Sequence, residues 1–294
     1  MALKGKAGRS KMAEQTIDVR PIAGSLGAEI LGAELADNFT NQVYDEIHQA
    51  FLDYQVLFIR DQKLTPPQQA AFARRFGPLN DYPFVKGLDE APEIIEIIKE
   101  PHETKNFGGV WHSDTTYLET PPLGTALYAL EVPSTGGDTM FANMYEAYDT
   151  LSDGMKHLID QLTGVSSAAL RRTGGRAAGM DYKSGMTATN LDKADEITAE
   201  HPVVRTHPET GRKALYVNSA HTVSFVGMTA AESKPLIDYL ITHAVRPEFT
   251  CRFRWEVGTM AIWDNRCVQH FAINDYHGER RRVHRATITG DRPH

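Results

Sequence analysis

The chain has 294 residues, a formal net charge of -7 and a pI near 5.9. Because the net charge is negative, the composition shows no overall excess of positive charge. It therefore supports neither binding to nucleic acid nor binding to an anionic membrane. The two cysteines are too few for a disulfide framework, and no apolar run approaches the roughly 20 residues of a membrane span. We expect a cytoplasmic protein whose chain folds into one large domain, and the composition leaves open whether this protein forms a homo-oligomer.

Clear helix and strand signals occupy the first third of the chain. Val43, Ile47 and Phe51 recur at helical spacing, and a compact apolar strand follows them. A second helix should begin after Thr65 with Pro66 at its first position, because proline is favoured at the start of a helix and glycine just after its end. The predicted elements are helices over 40–54 and from Thr65 to Gly77, and strands over 56–59 and 93–99.

Further signals appear near the C-terminus. Thr229 and Glu232 have the spacing of a capping box and predict a helix that runs to about His243. Apolar and polar residues alternate over 249–255, which is typical of a half-buried strand. We expect residues 1–16 to form a disordered tail, without the apolar core of a signal peptide, and residues 17–294 to form a single domain.

One segment departs from this order. Residues 166–200 are rich in Gly, Ala, Thr and Arg and have no sustained period of either kind. A structureless stretch longer than about 15 residues is uncommon in a compact domain and often covers a functional site. The segment is therefore interpreted as a mobile lid, with Arg171 and Arg172 either available to an anionic substrate or solvated.

Three residues have the pattern of a metal site. In an extended strand His112 and Asp114 point to the same side, so one short segment offers an imidazole and a carboxylate. His270 follows an apolar strand and can supply the third ligand. Two histidines and one carboxylate leave open positions on a metal, an arrangement that suits non-haem Fe(II).

Sequence motifs lie, in this order, at residues 110–117, 120–122, 133–139, 201–205, 263–266 and 284–287. Together they resemble the taurine dioxygenase/phenoxyacetate dioxygenase (TauD/TfdA) family, over roughly residues 17 to 292. The resemblance implies an α+β, mainly antiparallel β fold, a double-stranded β-helix (a cupin-like jelly roll) with flanking helices. It also implies a dioxygenase that uses Fe(II), 2-oxoglutarate and dioxygen.

The resemblance assigns further roles within the site. Arg281 lies at the family position of the arginine that binds the far carboxylate of 2-oxoglutarate, and Thr139 matches the hydroxyl that supplements it. An arginine suits this task because its planar fork binds both carboxylate oxygens. Arg285 matches the arginine that meets the anionic head of the prime substrate. Arg280 and Arg282 are expected to be surface charges, since neighbouring strand residues face opposite sides.

The predicted substrate is a small organic anion larger or more apolar than taurine. Where taurine dioxygenases carry polar residues for the sulfonate and amine, this chain has Tyr82, Val85 and Gly108, and Phe107 adds an apolar wall. The candidates are an aryloxyalkanoate, an alkyl sulfate ester, a sulfonate or a carboxylate, hydroxylated next to a heteroatom. Taurine itself remains an alternative.

Some residues of these motifs, and the ligand set itself, also allow other interpretations. Asp264 and Asn265 are expected to be structural, because short polar side chains at a strand end usually satisfy backbone groups. The ligand set could also hold Zn(II) in a hydrolase, or belong to a cupin-like metal-binding module without redox chemistry. Neither alternative accounts for Arg281 and Thr139, and no additional Glu accompanies the ligand motif as a general base.

Overall fold

The computed structural model describes residues 16–36, 40–82, 84–169 and 196–294. Its strands, in chain order, are β1 Asp18–Pro21, β2 Ala28–Leu31, β3 Val56–Ile59, β4 Leu79–Asn80, β5 Gly87–Leu88, β6 Ala91–Lys99, β7 Gly124–Glu131, β8 Thr139–Asn143, β9 Thr163–Ser167, β10 Thr198–Pro202, β11 Val204–Thr206, β12 Lys213–Leu215, β13 Thr222–Phe225, β14 Thr250–Phe253, β15 Met260–Asp264, β16 Val268–Ala272 and β17 Arg281–Ile288. The helices are α1 Asn41–Tyr54, α2 Pro66–Ala73, α3 Met144–Asp149, α4 Asp153–Ile159 and α5 Ala230–Ala244, with a short 3₁₀ turn at Pro247–Phe249.

One large sheet dominates the molecule. Its strand order is β1-β2-β3-β15-β7-β17-β6-β5, with β4 paired to the end of β17. The pairs are antiparallel except β2 with β3. Smaller antiparallel sheets, in the orders β14-β8-β16 and β10-β9-β13, accompany it, and β11 pairs with β12. This is the mainly antiparallel jelly roll with flanking helices that the sequence predicts.

Period-two alternation divides the core into two layers. In β3, Val56 and Phe58 belong to the cluster that also contains Phe141 of β8, Phe253 of β14 and Trp263 of β15. The alternate residues of the same strand contribute to a second cluster with residues of helices α1 and α2. Successive side chains of a strand point to opposite faces, so every central strand is buried on both sides. The functional cleft opens into the first layer.

Local sequence signals account for the helix boundaries. The Thr40 side chain accepts from the Val43 amide at the start of α1, and Thr65 forms a capping box with Gln68 at the start of α2. Thr229 forms the predicted capping box with Glu232, and helix α5 ends one residue after the predicted limit. These caps satisfy amides that would otherwise lack partners in the first turn.

Three sequence expectations need adjustment. Thr16, predicted to end a disordered tail, is held by hydrogen bonds from its amide and hydroxyl to Glu46 of α1. The predicted strand over 249–255 is shorter, because Phe249 ends the 3₁₀ turn and β14 begins at Thr250. Both ends of the segment 166–200 are strand, with Thr198 of β10 opposite Ser167 of β9. The rest of the predicted lid, including Arg171 and Arg172, and the tail before Thr16 lie outside the described residues.

Within the described ranges, no helix is both long and apolar enough to cross a membrane.

Candidate metal centre and its cleft

His112, Asp114 and His270 converge at one end of the first core layer. A backbone bridge pairs the two histidines, with the His112 amide donating to the His270 carbonyl at 3.1 Å and the reverse bond at 2.8 Å. Asp114 Oδ1 lies 3.6 Å from Nε2 of His112 and 3.8 Å from Nε2 of His270. One potential ligand atom from each residue lies within 4.8 Å of the other two, and all three residues are buried. The chain turns directly after Asp114, where Thr115 has a φ of 43°.

A hydrogen-bond network orients the Asp114 carboxylate. Thr125 of β7 donates its hydroxyl proton to Oδ2 at 2.8 Å, and Asn265 donates from Nδ2 to the Thr125 oxygen at 3.2 Å. The Asn265 carbonyl oxygen accepts from the Asp114 amide at 3.3 Å. Oδ2 is therefore engaged by the protein while Oδ1 faces the two histidines. The sequence predicted only a structural role for Asn265, whereas the structure makes it a support of Asp114.

The charges around the triad favour the forms that bind metals. Burial alone would raise the pKa of Asp114. Nη2 of Arg285 lies 3.0 Å from Oδ1, and its charge together with the two histidines outweighs the effect of burial. The pKa of Asp114 is therefore held well below its usual range. Burial, reinforced by His112, lowers the pKa of His270 well below its ordinary value. A charged carboxylate and a neutral imidazole are the protonation states that metal binding requires.

The His112 ring has a defined tautomer. Its Nδ1 lies 2.7 Å from the Val110 carbonyl oxygen, which can only accept, so Nδ1 donates and Nε2 is the nitrogen that faces Asp114. Nδ1 of His270 has no hydrogen-bond partner within the described ranges. Two imidazole nitrogens and one carboxylate oxygen form the donor set of a non-haem Fe(II) centre, so the residues present fit that metal.

A cleft adjoins the triad and is lined by both histidines and by residues of β8, β16 and β17. Arg281 and Arg285 both line it, since they lie on one face of β17 together with Val283. Nε of Arg281 is buried and has no hydrogen-bond partner in the part of the chain that the structure describes. Burial lowers the pKa of Arg281, with Tyr276 partly compensating. Thr139 of β8 lines the same cleft. This pairing of an unsatisfied guanidinium with a hydroxyl fits a carboxylate ligand.

The other arginines of this segment behave as predicted. Arg280 forms ion pairs with Glu100 and Glu131 and is about one-third exposed. Arg282 and His284, on the opposite face of β17 from the cleft, both contact Glu96. His284 is therefore not a fourth ligand.

The predicted substrate residues do not all reach the cleft. Phe107 and Gly108 line it, and a Cβ at Gly108, where φ is 79°, would lie 3.4 Å from the His112 ring. Tyr82 is buried beneath Arg285, whose guanidinium carbon lies 5.1 Å from the centre of the tyrosine ring. Val85, in contrast, packs in the core cluster and is not among the lining side chains. The side chain of Val85 is used for core packing, and the expectation that it widens the pocket stays a prediction.

A second buried polar cluster lies beyond the cleft. Asp264 accepts from Nε and Nη2 of Arg266 and contacts Nε2 of His207 at 3.0 Å. Burial alone would raise the pKa of Asp264, but Arg266 and His207 together hold it well below its usual range. Cys267 completes a potential metal-binding group with Asp264 and His207. The carboxylate is already satisfied by Arg266, so the cluster is structural, as predicted for Asp264. No sequence spacing pointed to His207, since its partner is 57 residues away.

His221 was also unassigned by sequence. Its ring centre lies 6.2 Å from that of His112, and its Nδ1 lies 3.0 Å from the Thr116 hydroxyl. Asn218 Nδ2 donates to the same Thr116 oxygen at 3.2 Å. His221 packs beside the site and does not belong to the group of potential ligands formed by His112, Asp114 and His270.

Comparison with known proteins agrees with this geometry. The sequence profile of the family described as "Taurine catabolism dioxygenase TauD, TfdA family" matches residues 18–287. The alkylsulfatase of Acinetobacter baylyi is 34% identical over 278 residues, which cover 94% of this chain and 86% of the relative. The alpha-ketoglutarate-dependent sulfate ester dioxygenase of Pseudomonas putida is 34% identical over 284 residues, which cover 94% of this chain and 91% of the relative.

A solved structure is similar over nearly the whole chain. The structure of AAD-2 in complex with Mn(II) and N-oxalylglycine superposes with a TM-score of 0.76 at 30% identity, covering 95% of this chain and 99% of that one. The jelly roll, the buried triad and the profile match lead to one conclusion: this chain belongs to the TauD, TfdA family of dioxygenases.

Proposed function

We propose that this protein is an Fe(II)- and 2-oxoglutarate-dependent dioxygenase that hydroxylates a small organic anion next to a heteroatom, with an alkyl sulfate ester as the favoured substrate. One observation carries the proposal. Two arginines on a single face of β17 line the same buried cleft as the histidines of the triad. The relatives named for alkyl sulfate and sulfate ester chemistry support the choice of substrate.

His112, Asp114 and His270 would hold the iron. Bound Fe(II) supplies the activation of dioxygen, for which three protein ligands leave sufficient open positions. The protein keeps Asp114 charged through Arg285 and fixes the carboxylate through Thr125. It also fixes the His112 ring through the Val110 carbonyl. These supports keep the ligand atoms in place before metal arrives.

Arg281 and Thr139 would bind the far carboxylate of 2-oxoglutarate. A buried guanidinium without a carboxylate partner is costly, and the cosubstrate would supply that partner. Burial also excludes water from this end of the cleft, which strengthens the ion pair. The cosubstrate would then extend from Arg281 toward the triad.

Arg285 would bind the anionic head of the prime substrate, and Phe107 would form part of the wall around its apolar body. Tyr82 restrains the guanidinium by lying beneath it. Gly108 has no side chain that could accept from an amine, and a buried ammonium without an acceptor pays its desolvation penalty. An alkyl sulfate lacks this amine and gains apolar contact, so it should be preferred over taurine.

The reaction balances without further reactants. One oxygen atom of dioxygen enters the carbon that bears the sulfate, replacing a hydrogen with a hydroxyl, and the other enters succinate as 2-oxoglutarate loses carbon dioxide. The hydroxylated ester then breaks its carbon–oxygen bond to sulfate, giving an aldehyde and hydrogen sulfate. Sulfate release is thus oxidative and differs from hydrolysis, which would give an alcohol.

The test is a succinate-release screen with hexyl sulfate, an aryloxyacetate, hexanesulfonate and taurine, with the carbonyl product identified in each case. We expect hexyl sulfate to give hexanal, sulfate and succinate in equal amounts, and taurine to be poor. Higher kcat/KM for taurine than for every larger anion would refute the pocket argument. Sulfate release in the absence of dioxygen and 2-oxoglutarate would establish a hydrolase instead.

A further inference from the structure

Arg281 and Thr139, which are proposed to bind the far carboxylate of 2-oxoglutarate, differ in their hydrogen-bonding chemistry. A guanidinium can only donate hydrogen bonds, whereas the Thr139 hydroxyl can donate one and accept others. A carboxylate only accepts. The hydroxyl therefore assists binding only when its single proton points into the cleft, and something must prevent the proton from pointing elsewhere.

Trp255 contacts both groups. Its indole Nε1 donates to Thr139 Oγ1 at 2.9 Å, and the Arg281 guanidinium carbon lies 5.6 Å from the centre of its ring. This distance lies within the range of a cation–π interaction. Trp255 itself is only 4% exposed and does not line the cleft. It therefore supports the two groups from behind without touching a bound ligand.

The direction of the indole bond fixes the direction of the hydroxyl. An indole N–H is a donor only, so the Thr139 oxygen must accept from it, and the hydroxyl proton stays available for another acceptor. Among the described residues, the indole is the hydrogen-bond partner of this hydroxyl. Since Thr139 lines the cleft, a bound carboxylate can take the proton.

The indole is held firmly enough to do this. Its ring meets Phe253 edge to face, with centres 5.5 Å apart and an interplanar angle of 88°. Phe253 in turn stacks on Phe58 at 3.6 Å and is the partner of Thr139 in the pairing of β14 with β8. The donor thus lies two residues after β14, its acceptor lies on the paired strand β8, and the indole is anchored in the first core layer.

We propose that Trp255 is a positioning residue for the cosubstrate, which commits the Thr139 hydroxyl to donation and restrains the Arg281 guanidinium, so that both bind the far carboxylate of 2-oxoglutarate. The inference rests on the proposed function. It assigns Trp255 a role in cosubstrate affinity that is separate from metal binding.

The experiment measures two ligands on Mn(II)-loaded protein by calorimetry. N-oxalylglycine carries the far carboxylate, whereas oxalate can occupy the metal but has no such group. We expect Trp255→Phe, which keeps a ring and removes the donor, to weaken N-oxalylglycine about 3- to 10-fold, the loss of one hydrogen bond. Oxalate affinity should stay within about twofold, because no part of oxalate reaches Thr139.

A double-mutant cycle isolates the contact. Thr139→Val should weaken N-oxalylglycine on its own, and adding Trp255→Phe to it should cause little further loss, since the donor then has no hydroxyl to orient. Fully additive losses, or equal weakening of oxalate, would overturn the role of Trp255. Arg281→Ala distinguishes a failure of the Trp255 proposal from a failure of the proposed function. If that variant still prefers N-oxalylglycine over oxalate as the wild type does, Arg281 does not bind the far carboxylate and the proposed carboxylate site is wrong.

A second measurement covers the case in which Trp255→Phe does not fold. The three tryptophans of the chain can be replaced biosynthetically by benzothienylalanine, which has nearly the same shape and carries sulfur in place of the N–H. The substituted protein should lose N-oxalylglycine affinity in the wild-type background and lose much less in the Thr139→Val background. An equal loss in both backgrounds would assign the effect to Trp111 or Trp263 and overturn the proposal.

Discussion

Thr125 donates its hydroxyl proton to Asp114 Oδ2 at 2.8 Å, and both residues are buried. The bond joins β7, an interior strand of the large sheet, to a turn eleven residues earlier in the chain. It leaves Oδ1 as the oxygen that faces the histidines. The orientation of the predicted metal ligand therefore depends on a residue that no ligand motif contains.

Thr125→Val should weaken metal binding by about 10-fold or more, because removing a group that orients a ligand typically costs 10- to 100-fold in affinity. Valine keeps the shape and removes the hydroxyl that donates to Asp114 and accepts from Asn265. Titration with Mn(II) followed by calorimetry would measure this. Thr287→Val, on a buried threonine of β17 opposite Thr125, is the matched control, and equal effects of the two variants would contradict the prediction.

Substituting His112, Asp114 or His270 with alanine should abolish succinate formation coupled to substrate and leave a folded protein, because each change removes a proposed ligand. Activity is measured aerobically with Fe(II), and folding by circular dichroism. His221→Ala, which alters the neighbouring ring without removing a ligand atom, should retain metal affinity. Undiminished turnover in any of the three triad variants would exclude that residue as a ligand.

Arg281→Ala should raise the KM for 2-oxoglutarate by at least about 30-fold, since breaking a buried hydrogen-bonded charge pair costs about 2 to 5 kcal/mol. Arg282→Ala removes a charge from the next position of the same strand, where the side chain pairs with Glu96, and should change this KM little. Steady-state kinetics with varied 2-oxoglutarate compares them. The prediction fails if the Arg282 variant shows the larger effect.

Asp264→Asn should destabilise the protein by about 3 to 5 kcal/mol, because it removes the buried charge that accepts from Nε and Nη2 of Arg266. Glu209 also binds Arg266, and its residual ion pair places the loss toward the lower end of this range. Urea unfolding followed by fluorescence measures the change. A loss below about 1 kcal/mol would show that the network of His207, Asp264 and Arg266 contributes little.

Stability should fall as the pH drops below about 6.5, partly because of His201. Burial lowers the pKa of His201 below 6.5, with Arg205 and Arg292 adding to the effect. The unfolded chain therefore binds a proton at a higher pH than the folded one, so this contribution is complete above the unfolded pKa and is lost as pH falls toward the folded value. Urea midpoints from pH 7.5 to 5.5 should decline less in His201→Gln, and parallel declines would refute this assignment.

Patterns within one strand were readable from sequence, and contacts between distant segments were not. Alternation along β17 predicted that Arg281 and Arg285 share a face while Arg282 lies opposite, because strand geometry alone fixes this. The ligand set was predicted because His112 and Asp114 lie two residues apart. The reach of each side chain into the cleft depends on packing, which sequence patterns do not reveal, as the position of Val85 in the core cluster illustrates.

Long-range polar contacts escaped prediction for the same reason. His207 and Asp264 meet across 57 residues, and Trp255 meets Thr139 across 116. Neither pair has a characteristic spacing, since the jelly roll brings these strands together by its topology. The pairing of β9 with β10 was missed because their sequences, Thr163–Ser167 and Thr198–Pro202, lack a clear apolar alternation.

Strand β17 is hydrogen-bonded to β6 on one side and to β7 on the other. Its two cleft arginines are therefore attached to backbone that cannot slide or bend independently, and four residues of extended chain separate their Cα atoms by about 13 Å. The strand therefore fixes the distance between the two proposed anion-binding positions. Relatives with longer or shorter substrates would then differ in the residues that line the cleft rather than in this distance. Changing the substrate specificity would begin with substitutions at Tyr82 and Phe107.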